Sequence, residues 1–137
     1  DMIIHLGDCW ADAEQLHRKF PMTVMEQVPG NCDCRQEVQE RILLIEGKKI
    51  LICHGHTFNV KAGYLNLEYA AEERKVDAAL FGHTHRVFYD KHNRIAYMNP
   101  GSIGQPPYGI PPSYGILQVD GSSNTIATDV IYLEENN

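Results

Sequence analysis

Two histidines one residue apart, His83 and His85, follow the apolar run Ala78-Ala79-Leu80-Phe81 and stand just behind Gly82. Imidazoles held at a strand end by a glycine suit a metal ion better than core packing. Three further motifs supply donors of related kinds. Asp8 closes Met2-Ile3-Ile4-His5-Leu6-Gly7, Asn31 follows Pro29-Gly30, and His54-Gly55-His56 follows Ile50-Leu51-Ile52-Cys53. Carboxylate, amide oxygen and imidazole together suit a hard-to-borderline divalent ion such as Mn, Fe, Zn, Ni or Co, rather than a thiolate-held zinc. A carboxylate can bridge two ions, and histidines at i and i+2 can turn toward different ones. Two ions roughly 3.5–4 Å apart form the clamp used for in-line displacement at phosphorus, with a bridging hydroxide as nucleophile. A single strand-end histidine is ordinarily just a satisfied polar group, and Gly-Asp after a strand an ordinary turn or N-cap. What argues for a site is the recurrence of donors at four separate strand ends.

The elements that must position these residues are read from apolar periodicity. Met2 to Leu6 is a buried strand, and Ala11 to Phe20 a helix stopped by Pro21. Met22 to Val28 is the next strand, broken by Pro29-Gly30-Asn31. Val38 to Ile45 and Ile50 to Cys53 make a hairpin around Glu46-Gly47-Lys48-Lys49. The spacing of Val60, Tyr64, Leu67 and Ala71 predicts an amphipathic helix over Val60 to Lys75. Ala78 to Phe81 is a short buried strand. Two antiparallel hairpins follow, Arg86 to Tyr89 with Arg94 to Met98 around Asp90-Lys91-His92-Asn93, and Tyr114 to Val119 with Thr125 to Tyr132. A Pro- and Gly-rich loop, Gln105 to Pro112, separates them, and Glu134 to Asn137 reads as a frayed tail. Strands alternating with helices, then hairpins, predict a mixed α/β (α+β) layered domain with its ligand loops at the C-terminal ends of strands.

Composition narrows the partners. The net charge of -6 argues against nonspecific nucleic-acid binding, which needs a basic footprint. No apolar run approaches the ~18 residues of a membrane span, and the N-terminal residues lack the basic and small-residue regions of a signal peptide. The four cysteines, Cys9, Cys32, Cys34 and Cys53, are read as reduced, which with the soluble composition points to a cytoplasmic protein. Cys32-x-Cys34 lacks the second pair a structural zinc site needs.

Gly7-Asp8, Gly30-Asn31-Cys32-Asp33, His54-Gly55-His56 and Gly82-His83-Thr84-His85 together resemble the motifs of the calcineurin-like metallophosphoesterases, nearest the small bacterial and archaeal phosphodiesterase branch. Asn99-Pro100-Gly101-Ser102 and Pro112-Ser113-Tyr114 resemble that branch's C-terminal signature. The resemblance implies a β-sandwich flanked by helices and a di-metal centre, with manganese the foremost ion. Asp8 would bridge both ions, Asn31, His54 and His83 would complete one position, and His85 would belong to the other. The substrate would be a small phosphodiester or phosphomonoester, and a homo-oligomer is compatible with the family. Many relatives carry histidine where Cys32 stands, credited with protonating the leaving group; here His56 and Asp33 are the candidates for that role. The resemblance also implies a first strand ending in Asp-x-His, absent from these 137 residues. The expectation is a single domain over residues 1–137 lacking its first strand, with native sequence upstream of Asp1; a strand and its crossover would take roughly 30 residues. Two competing readings are a non-catalytic scaffold of the same fold, like the retromer's small subunit, and an inactive fragment of an enzyme. Ser102 and Tyr108 are candidates for the cleft border, Arg86 for a phosphate contact and Trp10 for the cleft lining, while His5, His17 and His92 are assigned no role.

Overall fold

The structure is a computed structural model that describes residues 1–134. Its elements run β1 (Met2–His5), α1 (Trp10–Lys19), β2 (Val24–Gln27), β3 (Glu40–Ile45), β4 (Lys48–Cys53), a 3-10 turn (His56–Phe58), α2 (Leu65–Glu73), β5 (Ala78–Leu80), β6 (Val87–His92), β7 (Ile95–Pro100), β8 (Ser113–Asp120) and β9 (Thr125–Tyr132). The frame is a five-stranded sheet in the order β3-β4-β5-β7-β6. Its three central strands, β4, β5 and β7, are parallel, and an antiparallel strand closes each edge.

The central strands are continuous apolar runs because both of their faces are covered. Side chains alternate between two cores. Leu51 and Cys53, Ala79 and Phe81, and Ile95 and Tyr97 face one side, where Val60, Leu67, Ala71 and Val76 cover them. Ile50 and Ile52, Ala78 and Leu80, and Ala96 and Met98 face the other, where Val28, Ile4, Leu6, Leu117, Val119, Ile126 and Val130 pack. That second layer consists of the parallel pair β1-β2 and the antiparallel ribbon β8-β9. The result is the expected β-sandwich with helices outside. Among the described residues, β1 is hydrogen-bonded to β2 alone, and no helix is long and apolar enough to cross a membrane.

Two expectations about elements need correction. The helix expected from Val60 begins only at Leu65. Asn59 has φ 53° and Gly63 φ 153°, neither of which a helix accommodates. Val60 and Tyr64 reach the same core from an irregular segment, and this mimics helical spacing. The hairpin between β6 and β7 is tighter than expected. Its turn is Asn93-Arg94, both residues in the left-handed region, the geometry of a two-residue hairpin turn.

Parallel strands deliver their C-terminal ends to one edge of the sheet. His54 leaves β4, and Gly82-His83-Thr84-His85 follows β5. The Gly82 N–H donates to the His54 carbonyl at 2.9 Å, so the two histidine segments leave the sheet side by side. Asp8 and Asn31 arrive at the same edge from β1 and β2.

Candidate metal centre

His54 Nε2 is the hub of the site. Asn31 Oδ1 lies 3.1 Å from it, His83 Nδ1 3.2 Å and Asp8 Oδ2 3.5 Å. His54 is 3% exposed, and its Nδ1 stands 2.7 Å from the Leu6 carbonyl. A carbonyl only accepts, so that contact assigns the proton to Nδ1 and leaves Nε2 a bare lone pair. Burial lowers the His54 pKa, with the Leu6 hydrogen bond and Asp8 opposing it, so the ring is neutral near pH 7. The Asn31 amide nitrogen is turned to Cys32 Sγ at 3.6 Å, which leaves its oxygen facing His54. Bare nitrogen, amide oxygen and carboxylate therefore face one another with no proton between them. Such a cluster of acceptors calls for a cation.

The spacing fits one. Donors at about 2.1 Å from a common ion lie about 3.0–3.5 Å from each other around a tetrahedron or octahedron. Among the described residues no three His, Cys, Asp or Glu side chains already surround a shared ion position; the donors lean onto His54 Nε2 instead. His83 is held neutral as well, its pKa lowered to about 4 by burial and by His54, Lys61 and His56. Among the described residues His85 has no hydrogen bond to these four. Its Nδ1 is 2.9 Å from the Gln105 carbonyl, the same tautomer-setting contact that Leu6 makes to His54.

The backbone is strained at three of the candidate donors. Asp8 (φ 65°), His83 (φ 68°) and His85 (φ 59°) all adopt the left-handed conformation that non-glycine residues avoid. Two glycines permit close approach of the backbone to His54 and Asp8. A Cβ on Gly7, itself at φ 106°, would come 2.5 Å from His54 Nδ1, and one on Gly30 would come 2.0 Å from Asp8 Oδ1.

Asp33 has a different task from the one its type suggested. Its Oδ2 accepts the N–H groups of Asp8 at 2.9 Å and Gly30 at 2.7 Å, and its Oδ1 accepts that of Trp10 at 3.0 Å. It ties the loop after β1 to the loop after β2. Burial pushes its pKa up, but the three N–H donors and His5 outweigh that and bring it below the ordinary value. A carboxylate held ionised is a poor proton donor. Its contribution to stability is present above the ordinary carboxylate pKa and is lost as pH falls through the lowered folded value. Asp33→Asn is expected to destabilise the protein by about 2 kcal/mol near neutral pH. It is also expected to flatten the acid limb of a plot of thermal midpoint against pH; an unchanged midpoint would refute the brace.

His56 enters the 3-10 turn, its ring centroid 5.3 Å from that of His54 and 6.1 Å from that of His83. Its Nδ1 is buried without a hydrogen-bond partner among the described residues. Cys32 is fully exposed and donates its N–H to Asp8 Oδ1 at 3.1 Å; the Asp8 charge raises the thiol's pKa, so it stays protonated. One brace is visible only in three dimensions. Asn99, 0% exposed, donates Nδ2 to the Gly82 carbonyl and to Thr84 Oγ1, both at 2.9 Å, and its Oδ1 accepts the Gly101 N–H at 3.0 Å. It clamps the turn that carries His83 and His85. The sequence marked Asn99 only as part of the Asn99-Pro100-Gly101-Ser102 motif, with no sign of this bracing role.

A sequence profile of the calcineurin-like phosphoesterase superfamily domain matches residues 1–122. The chain belongs to that superfamily. It is 36% identical over 128 residues to the probable metallophosphoesterase YsnB of Bacillus subtilis, a match covering 92% of this chain and 73% of that protein. It is 30% identical over 114 residues to the phosphodiesterase YfcE of Escherichia coli, covering 83% of this chain and 50% of that one. Thus the chain spans about half to three quarters of these relatives. Among solved structures it resembles a predicted phosphoesterase from Streptococcus pneumoniae, with TM-score 0.78, 22% identity, and coverage of 94% of this chain and 88% of that one. It also resembles Vps29 of Entamoeba histolytica, with TM-score 0.75, 19% identity, and coverage of 98% and 83%. At these identities the structural matches speak for the fold. Membership in the superfamily implies divalent metal ions, and Asp8, Asn31, His54 and His83 of this calcineurin-like domain form a donor set suited to one.

Proposed function

We propose that the protein is a metal-dependent phosphodiesterase, with one divalent ion held by Asp8, Asn31, His54 and His83 and a second approached by Asp8 and His85. Manganese is the ion placed first, with nickel, zinc, iron and cobalt as alternatives suited to the same donors. The convergence of unprotonated acceptors on His54 Nε2 carries this reading. A divalent ion there would supply Lewis acidity toward a phosphoryl group and neutralise its charge. The chain's own residues do the rest. The Leu6 carbonyl fixes the His54 ring, Asn99 clamps the His83–His85 turn, and Asp33 joins the two loops that deliver Asp8 and Asn31. His56, beside His54 and His83, is the residue we assign to protonate the leaving oxygen.

The test is hydrolysis of an aryl phosphodiester with added Mn, with and without a chelator, alongside elemental analysis of the chain. Turnover that the chelator abolishes, with at least one ion bound per chain, is the expected result. A rate indifferent to chelation would sink the mechanism. The competing reading is a binding module of the same fold, drawn from the likeness to Vps29. The survival of a metal-competent side chain at every donor position present favours the enzyme, and absence of turnover with metal bound would favour the module.

A further inference from the structure

The loop between β7 and β8 reaches back to His85. The Gln105 carbonyl accepts a hydrogen bond from His85 Nδ1 at 2.9 Å. The Gln105 N–H donates to Ser102 Oγ at 2.9 Å. The Ser102 carbonyl accepts the Ser113 N–H at 3.0 Å, and Ser113 Oγ donates to the Pro100 carbonyl at 2.7 Å. Ser113 is 4% exposed and opens β8. A continuous chain of hydrogen bonds therefore runs from the sandwich to the imidazole of His85.

We infer that Ser102 is a positioning residue: through the Gln105 carbonyl it fixes His85 in the Nδ1–H tautomer and presents Nε2 as a free lone pair. A neutral imidazole in water favours the other tautomer, with its proton on Nε2, so the protein must impose this one. For His54 the imposing carbonyl is Leu6, which directly follows β1 at the base of the site. His85 has no strand-end carbonyl in this role. Its acceptor belongs to an irregular segment between β7 and β8, and a carbonyl on such a segment orients a ring only if it is held itself. Ser102 Oγ holds the residue that carries it, by accepting the Gln105 N–H. A carbonyl partner of this kind sets both the ring orientation and the basicity of the free nitrogen.

The inference rests on the proposed function only where it treats Nε2 as a donor; the tautomer is a property of the protein alone. The test is 15N NMR of the histidine rings in the metal-free protein, at a pH where they are neutral, for wild type, Ser102→Ala and Ser102→Thr. Wild type is expected to show His85 with its proton on Nδ1. Ser102→Ala should shift it toward the mixture seen for an exposed histidine such as His92, and Ser102→Thr, which keeps the hydroxyl, should restore the wild-type state. A wild-type proton on Nε2, or an unchanged tautomer in Ser102→Ala, overturns the inference. Where metal-dependent turnover exists, Ser102→Ala is expected to lower kcat/KM by roughly 10- to 100-fold, the usual effect of losing such support behind a ligand. Absence of turnover in wild type, with the tautomer shifts as expected, would sink the phosphodiesterase reading and leave the positioning role standing.

Discussion

His83→Ala is expected to reduce metal-dependent hydrolysis on the order of a thousandfold, equivalent to about 4 kcal/mol of transition-state stabilisation. The thermal midpoint of the metal-free protein should move by no more than about 3 °C. His83 Nδ1 lies 3.2 Å from His54 Nε2, and in the proposed centre it is one of four donors, so its loss would open the coordination shell directly. The fold has little to lose. The ring is half-buried and absent from both hydrophobic cores. Backbone strain provides a sharper discriminator. At φ 68° a non-glycine residue costs about 1 kcal/mol relative to glycine. His83→Gly should therefore stabilise the metal-free protein by up to about 1 kcal/mol while abolishing turnover. A packing histidine would give the opposite sign. Denaturant melts of the two variants, run without metal, decide between them. If both variants unfold readily, the ring serves the core and the metal reading of this residue fails.

How far the sequence alone carries depends on the range of the interactions. The candidate donors could be picked out because each stands just past a segment that reads as a strand, and strand ends are where such folds gather ligands. Phe81-Gly82-His83 is the clearest case. Asp33 was legible as an acid but not as a brace, because the N–H groups of Asp8 and Trp10 lie more than twenty residues away in sequence. Local pattern holds no trace of such a bond. The bracing role of Asn99, legible only as part of a motif, was hidden for the same reason, since its partners belong to the turn after β5. The false helical start at Val60 arose differently. Two apolar residues reached the core from a segment that Gly63 prevents from coiling, and periodicity cannot distinguish that from a helix. The His85–Gln105 contact required the course of a loop, which no propensity describes.

Gly30→Ala tests the closest approach in the site. The added Cβ would come 2.0 Å from Asp8 Oδ1, 2.5 Å from the Asp8 backbone nitrogen and 2.7 Å from Asp8 Cγ. Side-chain rotation alone cannot relieve this, because one of the three atoms is backbone. Nor is Asp8 free to withdraw. Its N–H is held by Asp33 Oδ2, and its Oδ1 accepts the Cys32 N–H. The loops after β1 and β2 must therefore move apart, which breaks the Asp33 bonds on at least one side. Overpacking of this kind costs typically about 1–3 kcal/mol, and the lost hydrogen bonds to a charged group add about 1.5 kcal/mol or more. The donor that the proposed mechanism places between two ions is displaced at the same time. Gly30→Ala should thus lower stability by about 3 kcal/mol and abolish metal binding together with turnover. Gly47→Ala is the matched control: Gly47 has φ 78°, and a Cβ there meets nothing within 4 Å. Its cost is the backbone strain of about 1 kcal/mol, with metal binding intact. Calorimetric titration with Mn on both variants separates the effects, and a Gly30→Ala protein that binds Mn like wild type would show that Asp8 is not placed by this contact.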